Sequence, residues 1–115
     1  MHRVAYMEWV KLRQPAKYEI GGSGIVPVHL QELPEALDRL DVNDFNLYGY
    51  GPLVNQIAQR YEVTPEQVVT TQGCSMANYL ACASLLRRGD EVLVEKPAYE
   101  PLLAIPRLLG AKVMR

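Results

Sequence analysis

The stretch that decides the fold class is residues 67–95, QVVTTQGCSMANYLACASLLRRGDEVLVE. Residues 68–71 are mostly β-branched and typical of a short strand. A glycine then breaks the pattern, and residues 76–87 predict a helix that Gly89 ends, because glycine readily adopts the left-handed conformation that terminates helices. Residues 91–95 hold a continuous apolar run between two glutamates, as in a buried strand.

The same order of elements continues toward the C-terminus. Residues 99–109 predict a helix whose continuity is limited by Pro101 and Pro106. Residues 111–115 begin another strand, which we expect to be interrupted, so that the chain is the front part of a longer protein. Strands alternating with helices are typical of a mostly parallel sheet covered by helices, and we therefore expect an α/β fold.

Upstream of this stretch the patterning is shorter and less regular. Apolar residues at near-helical spacing predict a helix within residues 2–13 and an amphipathic helix at 33–40 that Pro34 opens. Residues 21–24, GGSG, predict a flexible loop. A further helix is expected at 53–61, followed by TPEQ at 64–67, where threonine, proline and glutamine match the chemistry of a helix start.

Composition excludes several function classes. The chain has 115 residues, of which 49% are hydrophobic and 22% charged, and its formal net charge is −1. There is no basic excess for binding a nucleic-acid backbone. Two cysteines do not make a secreted disulfide framework, and no apolar run reaches the roughly 18 residues of a membrane span. With no long apolar signal core at the start, we expect a cytoplasmic protein.

The turn Gly73-Cys74-Ser75 is the most informative site for chemistry. A strand ends, a glycine turns the chain and a hydroxyl residue begins a helix. Backbone N–H groups at a helix start lack intrahelical partners, and together with the helix dipole they favour a bound phosphate. Ser75 could donate its hydroxyl to the same anion. The alternative is that Ser75 only caps the helix.

From residue 48 onward the chain resembles fold-type I pyridoxal-phosphate enzymes, in particular the class I/II aminotransferases. Six segments carry the resemblance, and they stand in the family's order and spacing. They are YGYGPL (48–53) with IAQRY (57–61), VTPEQVVTT (63–71), GCS (73–75), GDEVLV (89–94), PAY (97–99) and GAKV (110–113). Residues 1–47 match only loosely.

The resemblance implies a fold as well as a family. It makes the chain the N-terminal part of a mostly parallel, helix-covered sheet that is incomplete here. Residues 1–47 would form the N-terminal arm and the start of the small domain, and residues 48–115 the first part of the large cofactor-binding domain. In the family's sheet, the strand at 68–71 does not neighbour the strand at 91–95. Only 91–95 and 111–115 would pair, so we expect the isolated chain not to form a stable native monomer.

The resemblance also assigns cofactor-binding residues. Cys74 and Ser75 match the positions that hold the phosphate of pyridoxal 5′-phosphate, in agreement with the helix-start argument. Tyr99 matches the aromatic residue that stacks on the pyridine ring, where a flat side chain holds and shields the cofactor. The alternative for Tyr99 is a core aromatic residue after a strand. The peptide bond Lys96–Pro97 stands where the family often has a cis bond.

Two further site assignments rest on looser matches. Tyr48, or else Tyr50, resembles the tyrosine that reaches the phosphate of the partner subunit's cofactor, and Phe45 could occupy an aligned position. The alternative is that both tyrosines pack around a glycine-rich turn. Gly22 and Gly24 are equal candidates for the glycine that lies over the substrate carboxylate, because a glycine lets the backbone approach closely.

No catalytic residue is expected in this segment. Transamination needs a Schiff-base lysine, and Lys11, Lys17, Lys96 and Lys112 do not match the family's lysine. The resemblance implies a full-length homodimer that transfers an amino group between an amino acid and a 2-oxo acid, while this fragment alone would be inactive. The alternatives are a decarboxylase, lyase or synthase of the same fold, a non-catalytic phosphate-binding α/β module, or a degenerate gene product.

Other chemistries fit the residues poorly. His2 and His29 are not at metal-ligand spacing from the two cysteines, so no metal site is expected. Cys74 has no evident histidine or aspartate partner that would make it a nucleophile. Gly49-Tyr50-Gly51 follows no strand and is therefore not a dinucleotide-binding motif.

Overall fold

The computed structural model describes residues 3–14, 16–21, 24–40 and 45–115. The fold class is α/β, as predicted, with helices and a short parallel sheet. Within the described residues the elements run in the order α1 (Ala5–Leu12), α2 (Gly51–Tyr61), α3 (Gly73–Leu85), β1 (Glu91–Leu93), α4 (Pro101–Leu108) and β2 (Lys112–Met114). Single 3₁₀ turns lie at Leu30–Glu32 and Pro65–Gln67.

The strands β1 and β2 pair in parallel, and α4 is the crossover between them. Val92 lies opposite Val113 in the ladder. The backbone N–H of Val94 donates to the carbonyl of Met114 at 3.0 Å, which extends the pairing by one bond. The expectation that these two strands are neighbours is confirmed.

The core of this unit lies under α4. Leu103 and Pro106 are buried in this helix. Ala111, which directly precedes β2, is also buried. Pro106 stands inside the helix, where its ring fixes φ and it donates no hydrogen bond. Its carbonyl accepts the N–H of Ala111 at 2.9 Å, and Gly110, at a φ of 85°, turns the chain between them.

The connection from α2 to α3 follows its expected chemistry. The helix α2 begins two residues earlier than the predicted 53–61 and ends at Tyr61, and its C-cap residue Glu62 has a left-handed φ of 55°. The N–H of Thr64 then donates to the Gln67 side-chain oxygen at 3.0 Å, which is half of a capping box around the turn Pro65–Gln67. The predicted helix-start chemistry of TPEQ is confirmed.

Two predicted elements do not form. Residues 68–71 form no strand and pair with none among the described residues, which agrees with the expectation that only 91–95 and 111–115 would pair. The helix predicted at 33–40 is a series of turns that follows the 3₁₀ turn Leu30–Glu32. Its three leucines are exposed, and a helix this short depends on packing of its apolar face.

Other boundaries shift by a few residues. The first helix occupies Ala5–Leu12 of the predicted 2–13, and the last occupies Pro101–Leu108 of the predicted 99–109. The helix α3 spans Gly73–Leu85, so it begins three residues before the predicted 76–87. The earlier start matters because it places the whole glycine turn inside the first turn of α3.

The chain exposes much more surface than a closed domain of its mass. Its accessible area is 10750 Å², against about 6,300 Å² for a compact monomer of this mass. Its radius of gyration is 18.2 Å, against about 13 Å for a compact domain of this length. Much of the exposed area is apolar. The helix α3 contributes to it, because none of its residues is buried.

Candidate functional site

The start of α3 presents free backbone donors. Gly73 opens the helix at a φ of 81°, and its N–H donates to the carbonyl of Thr71 at 3.0 Å. The next two N–H groups, those of Cys74 and Ser75, lie in the first turn of the helix, where no intrahelical carbonyl is available to them. Two adjacent donors at the positive end of a 13-residue helix form an anion-binding arrangement.

Side chains at this helix start leave the donors open. The helix-capping position is occupied by Gln72, which makes no side-chain capping bond. Ser75 lies inside the first turn, so the alternative that Ser75 is the N-cap is wrong. A methyl group added at Gly73 would meet no atom within 4 Å, and the Cys74 and Ser75 side chains are exposed. The space in front of the donors therefore fits a phosphate.

Tyr99 lies in the connection between β1 and α4, just after the bond Lys96–Pro97, which is cis as expected. Its side chain is 38% exposed. Its hydroxyl donates to the Met7 sulfur at 3.0 Å, and its ring meets the Tyr6 ring edge-on, with centroids 5.6 Å apart. Tyr99 is therefore held at one edge by α1 and retains open surface.

Tyr48 is separate from the start of α3. Its side chain is 93% exposed, so the alternative that it packs around the glycine-rich turn is wrong for this residue. It lines an open cleft of about 750 Å³ whose walls are residues 47–55 and 65–70 and include neither Cys74, Ser75 nor Tyr99. Tyr48 therefore faces a different part of the surface from the other predicted cofactor contacts. Tyr50 is also exposed, at the start of α2.

An ion pair that the sequence pattern did not indicate links the end of α1 to Gly21, the first residue of the glycine-rich loop. The Arg13 guanidinium donates to the Glu19 carboxylate at 2.5 Å, and the other oxygen of that carboxylate accepts the Gly21 N–H at 3.0 Å. The hydrogen bond from Arg13, followed by that from Gly21, lowers the pKa of Glu19, and the same pair raises the pKa of Arg13.

Of the two glycines predicted to lie over the substrate carboxylate, Gly24 is among the described residues. Gly24 is exposed, and a methyl group added there would meet no atom within 4 Å. Gly22 lies outside the described residues. The space beside the Gly24 α-carbon is therefore open.

The described part of the chain shows neither a metal-binding cluster nor a membrane-spanning helix. It holds no group of three or more histidine, cysteine, aspartate or glutamate side chains that could bind a metal ion. None of its helices is long and apolar enough to cross a membrane. Cys74 and Cys82 are both free thiols, and the Cys74 sulfur accepts a weak hydrogen bond from the Asn78 side chain at 3.6 Å.

Comparison with known proteins places these features in a family. The sequence model of the family "Aminotransferase class I and II" matches residues 17–115. Capreomycidine synthase of Streptomyces vinaceus is 36% identical over 117 aligned positions, which cover 92% of this chain and 30% of that protein. Tyrosine aminotransferase of Bos taurus is 32% identical over 94 positions, which cover 71% of this chain and 21% of that protein.

A third relative matches a shorter stretch. The (5-formylfuran-3-yl)methyl phosphate transaminase of Methanocaldococcus jannaschii is 35% identical over 51 positions, or 44% of this chain and 14% of that protein. The chain thus spans between 14% and 30% of the length of these curated relatives. Because the family match covers most of the chain, including the α3 turn and Tyr99, this protein belongs to the class I and II aminotransferase family.

Proposed function

We propose that this chain forms the N-terminal part of a pyridoxal-phosphate-dependent aminotransferase, which transfers an amino group between an amino acid and a 2-oxo acid. The observation that carries the proposal is the open start of α3, with the N–H donors of Cys74 and Ser75, in a chain of this family. Those donors match the dianionic phosphate of the cofactor in charge and geometry.

The proposed cofactor contacts come from two elements. The N–H groups of Cys74 and Ser75, with the Ser75 hydroxyl, hold the phosphate, and the ring of Tyr99 lies against the pyridine. When bound, the cofactor supplies the electron sink that amino-acid chemistry needs and that no protein side chain provides. The role of these residues is to anchor and orient the cofactor, and to exclude water from one of its faces.

The remaining predicted contacts complete the proposal. In a homodimer, Tyr48 reaches the partner subunit's cofactor, which accounts for its location away from the α3 turn. Gly22 and Gly24 lie over the substrate carboxylate. Residues 1–47 belong to the arm and the small domain, and residues 48–115 to the large domain of a fold-type I enzyme. A cytoplasmic location is also part of the proposal and rests only on the apolar patterning of the sequence.

The chain by itself is proposed to be inactive. None of Lys11, Lys17, Lys96 and Lys112 lies in a segment that resembles the family's cofactor-binding lysine. Without that amine, the covalent steps of transamination have no protein nucleophile. The 115 residues would thus bind the cofactor partially and non-covalently.

Binding of pyridoxine 5′-phosphate to a longer polypeptide that contains this chain tests this proposal. This ligand has an alcohol in place of the aldehyde, so surface lysines cannot capture it covalently. Ser75→Ala should weaken binding about tenfold, since it removes a hydrogen bond to a charged group. Ser84→Ala is the matched control, because Ser84 also lies on α3 but donates to the Ala81 carbonyl. Absence of binding, or equal affinity in both variants, would contradict the proposal.

Two alternative functions remain distinguishable. The capreomycidine synthase relative aligns with 92% of this chain, which favours a synthase of the same family as the second candidate. Product analysis of a longer polypeptide that contains this chain, given an amino donor and a 2-oxo acid, separates the two. For a simple phosphate-binding module, inorganic phosphate should bind as tightly as pyridoxine 5′-phosphate, and Tyr99→Ala should change neither affinity.

A further inference from the structure

The N-terminus of α1 is capped from a distant part of the chain. Val4, at the capping position, has no polar side chain, and no side-chain bond from it serves the helix. Instead, the N–H of Tyr6 donates to the carboxylate of Glu100, 94 residues away, at 2.5 Å. A carboxylate at this end of a helix satisfies an unpaired donor and complements the helix dipole.

Glu100 serves two helices at once. Its backbone carbonyl accepts the N–H groups of Leu103 and Ala104, at 2.9 and 3.0 Å, and so begins α4. Its carboxylate, half-buried, serves the start of α1. The position of α1 is therefore linked directly to Glu100, the N-cap residue of α4, which immediately follows Tyr99.

Tyr99 makes its described contacts with this same helix. Its hydroxyl donates to the Met7 sulfur at 3.0 Å, and its ring packs edge-on against Tyr6 with an interplanar angle of 86°. Backbone geometry alone leaves the χ1 of a tyrosine several staggered choices. Contacts at the hydroxyl and at one ring edge select one of them, and both contacts come from α1.

We propose that α1 is a positioning element for Tyr99, and that Glu100 and Met7 are its positioning residues. Glu100 fixes the start of α1 beside Tyr99, and Met7 holds the Tyr99 hydroxyl, so the N-terminal helix determines which face of the ring is open. The importance of that face for cofactor binding rests on the proposed function. The orientation of the ring by α1 does not depend on it.

Nuclear magnetic resonance of a longer polypeptide that contains this chain, without ligand, tests the positioning. In the unaltered chain we expect a protected Tyr6 amide and a nuclear Overhauser contact between the Met7 methyl and the Tyr99 ring. Glu100→Ala should speed Tyr6 amide exchange about fivefold, the fold-change of a lost helix cap, and should weaken the Met7–Tyr99 contact. Glu100→Gln should restore most of both, because its amide oxygen still accepts a hydrogen bond.

Two further variants separate positioning from general stability. Glu95→Ala is the matched control: it removes an exposed carboxylate near the same connection, and both signals should remain. Met7→Leu keeps the apolar volume but removes the sulfur acceptor. It should change the resonances of the Tyr99 ring while the Tyr6 amide stays protected. In the Met7→Leu background, Tyr99→Phe should then have little additional effect on the ring environment.

The outcomes discriminate between this inference and the proposed function. An unprotected Tyr6 amide in the unaltered chain, or no change of the Tyr99 ring in Glu100→Ala and Met7→Leu, would overturn the positioning role. If both signals behave as expected but pyridoxine 5′-phosphate does not bind, the positioning role is supported and the proposed function fails. If the ligand binds while Glu100→Ala leaves Tyr99 unchanged, the reverse holds.

Discussion

The unit from β1 to β2, residues 91–114, and the segment 24–40 differ sharply in packing although both are rich in apolar residues. In the first, the strands pair with each other and α4 buries Leu103 and Pro106. In the second, every residue is exposed, including Ile25 and Leu37. Apolar content is therefore not what separates an ordered core from an open surface in this chain.

The two segments differ in the sequence separation between an apolar face and the residues that could bury it. The β1–α4–β2 unit contains both a sheet and the helix that covers it, so its apolar faces are buried by residues close in sequence, at low cost in loop-closure entropy. The leucines of 24–40 have no such face opposite them among the described residues. A short amphipathic helix without packing is marginal in water, and here turns replace it.

Removing a core side chain should have the largest effect on this contrast. Leu103 is 7% exposed, and Leu103→Ala should destabilise the β1–α4–β2 unit by about 2–5 kcal/mol through lost burial and a residual cavity. The measurement is hydrogen exchange of the Lys112 amide, which donates to the Asp90 carbonyl at 2.7 Å. Leu37→Ala, at a leucine that is 61% exposed, should change stability by no more than about 0.5 kcal/mol. Equal effects of the two variants would contradict the comparison.

Replacing one glycine in each region by alanine should give a smaller difference in stability. Gly110 has a φ of 85°, and a methyl group there would lie 3.0 Å from the Arg88 side chain. Gly110→Ala should cost about 1–2 kcal/mol, because an L residue is strained in this conformation. Gly24→Ala meets no atom within 4 Å and should be neutral. Amide exchange across β2 reports both, and a neutral Gly110→Ala would argue against a rigid link between α4 and β2.

Acid should break the contact between Glu19 and the Gly21 N–H, with the smallest of the three effects. The hydrogen bonds from Arg13 and from the Gly21 N–H lower the pKa of Glu19. Because the folded pKa lies below that of the unfolded chain, the stabilisation is complete above about pH 4.3 and is lost as the pH falls through the folded value. The Gly21 amide resonance should therefore move upfield on acidification below about pH 4.

Glu19→Gln provides the control for this titration. A glutamine at this position keeps an oxygen acceptor for the Gly21 N–H but carries no charge to titrate. Its Gly21 amide should show no transition in the same range. A transition of equal size in both proteins would assign the change to another group, and the anchoring role of Glu19 would be wrong.

Local chemistry was predictable wherever the deciding residues are close in sequence. The helix start at 64–67 and the glycine turn at 73–75 follow from side-chain capping and from the freedom of glycine. The pairing of β1 with β2, like the cis bond Lys96–Pro97, was expected from the resemblance to the family and is present. The assignment of Cys74, Ser75, Tyr99, Tyr48, Gly22 and Gly24 to a binding site stays a prediction.

Contacts over long sequence separation were not predictable from one sequence. Nothing in the patterning around Tyr6 indicates that its N–H would meet Glu100, or that Arg13 would pair with Glu19 across a proline. The strand expected at 68–71 failed for a related reason. Its residues have strong strand propensity, but a strand forms only against a neighbour, and the described residues offer none.

The aromatic cluster on α1 has a practical consequence for optical work on this chain. Trp9 is the single tryptophan of the sequence, with the Arg13 guanidinium 5.1 Å from its ring and the Tyr6 ring 6.1 Å away. Its emission is therefore sensitive to a nearby cation, and it receives excitation energy from an adjacent tyrosine. Unfolding of α1 would change both properties together, so the chain carries a built-in fluorescent reporter of whether its first helix is formed.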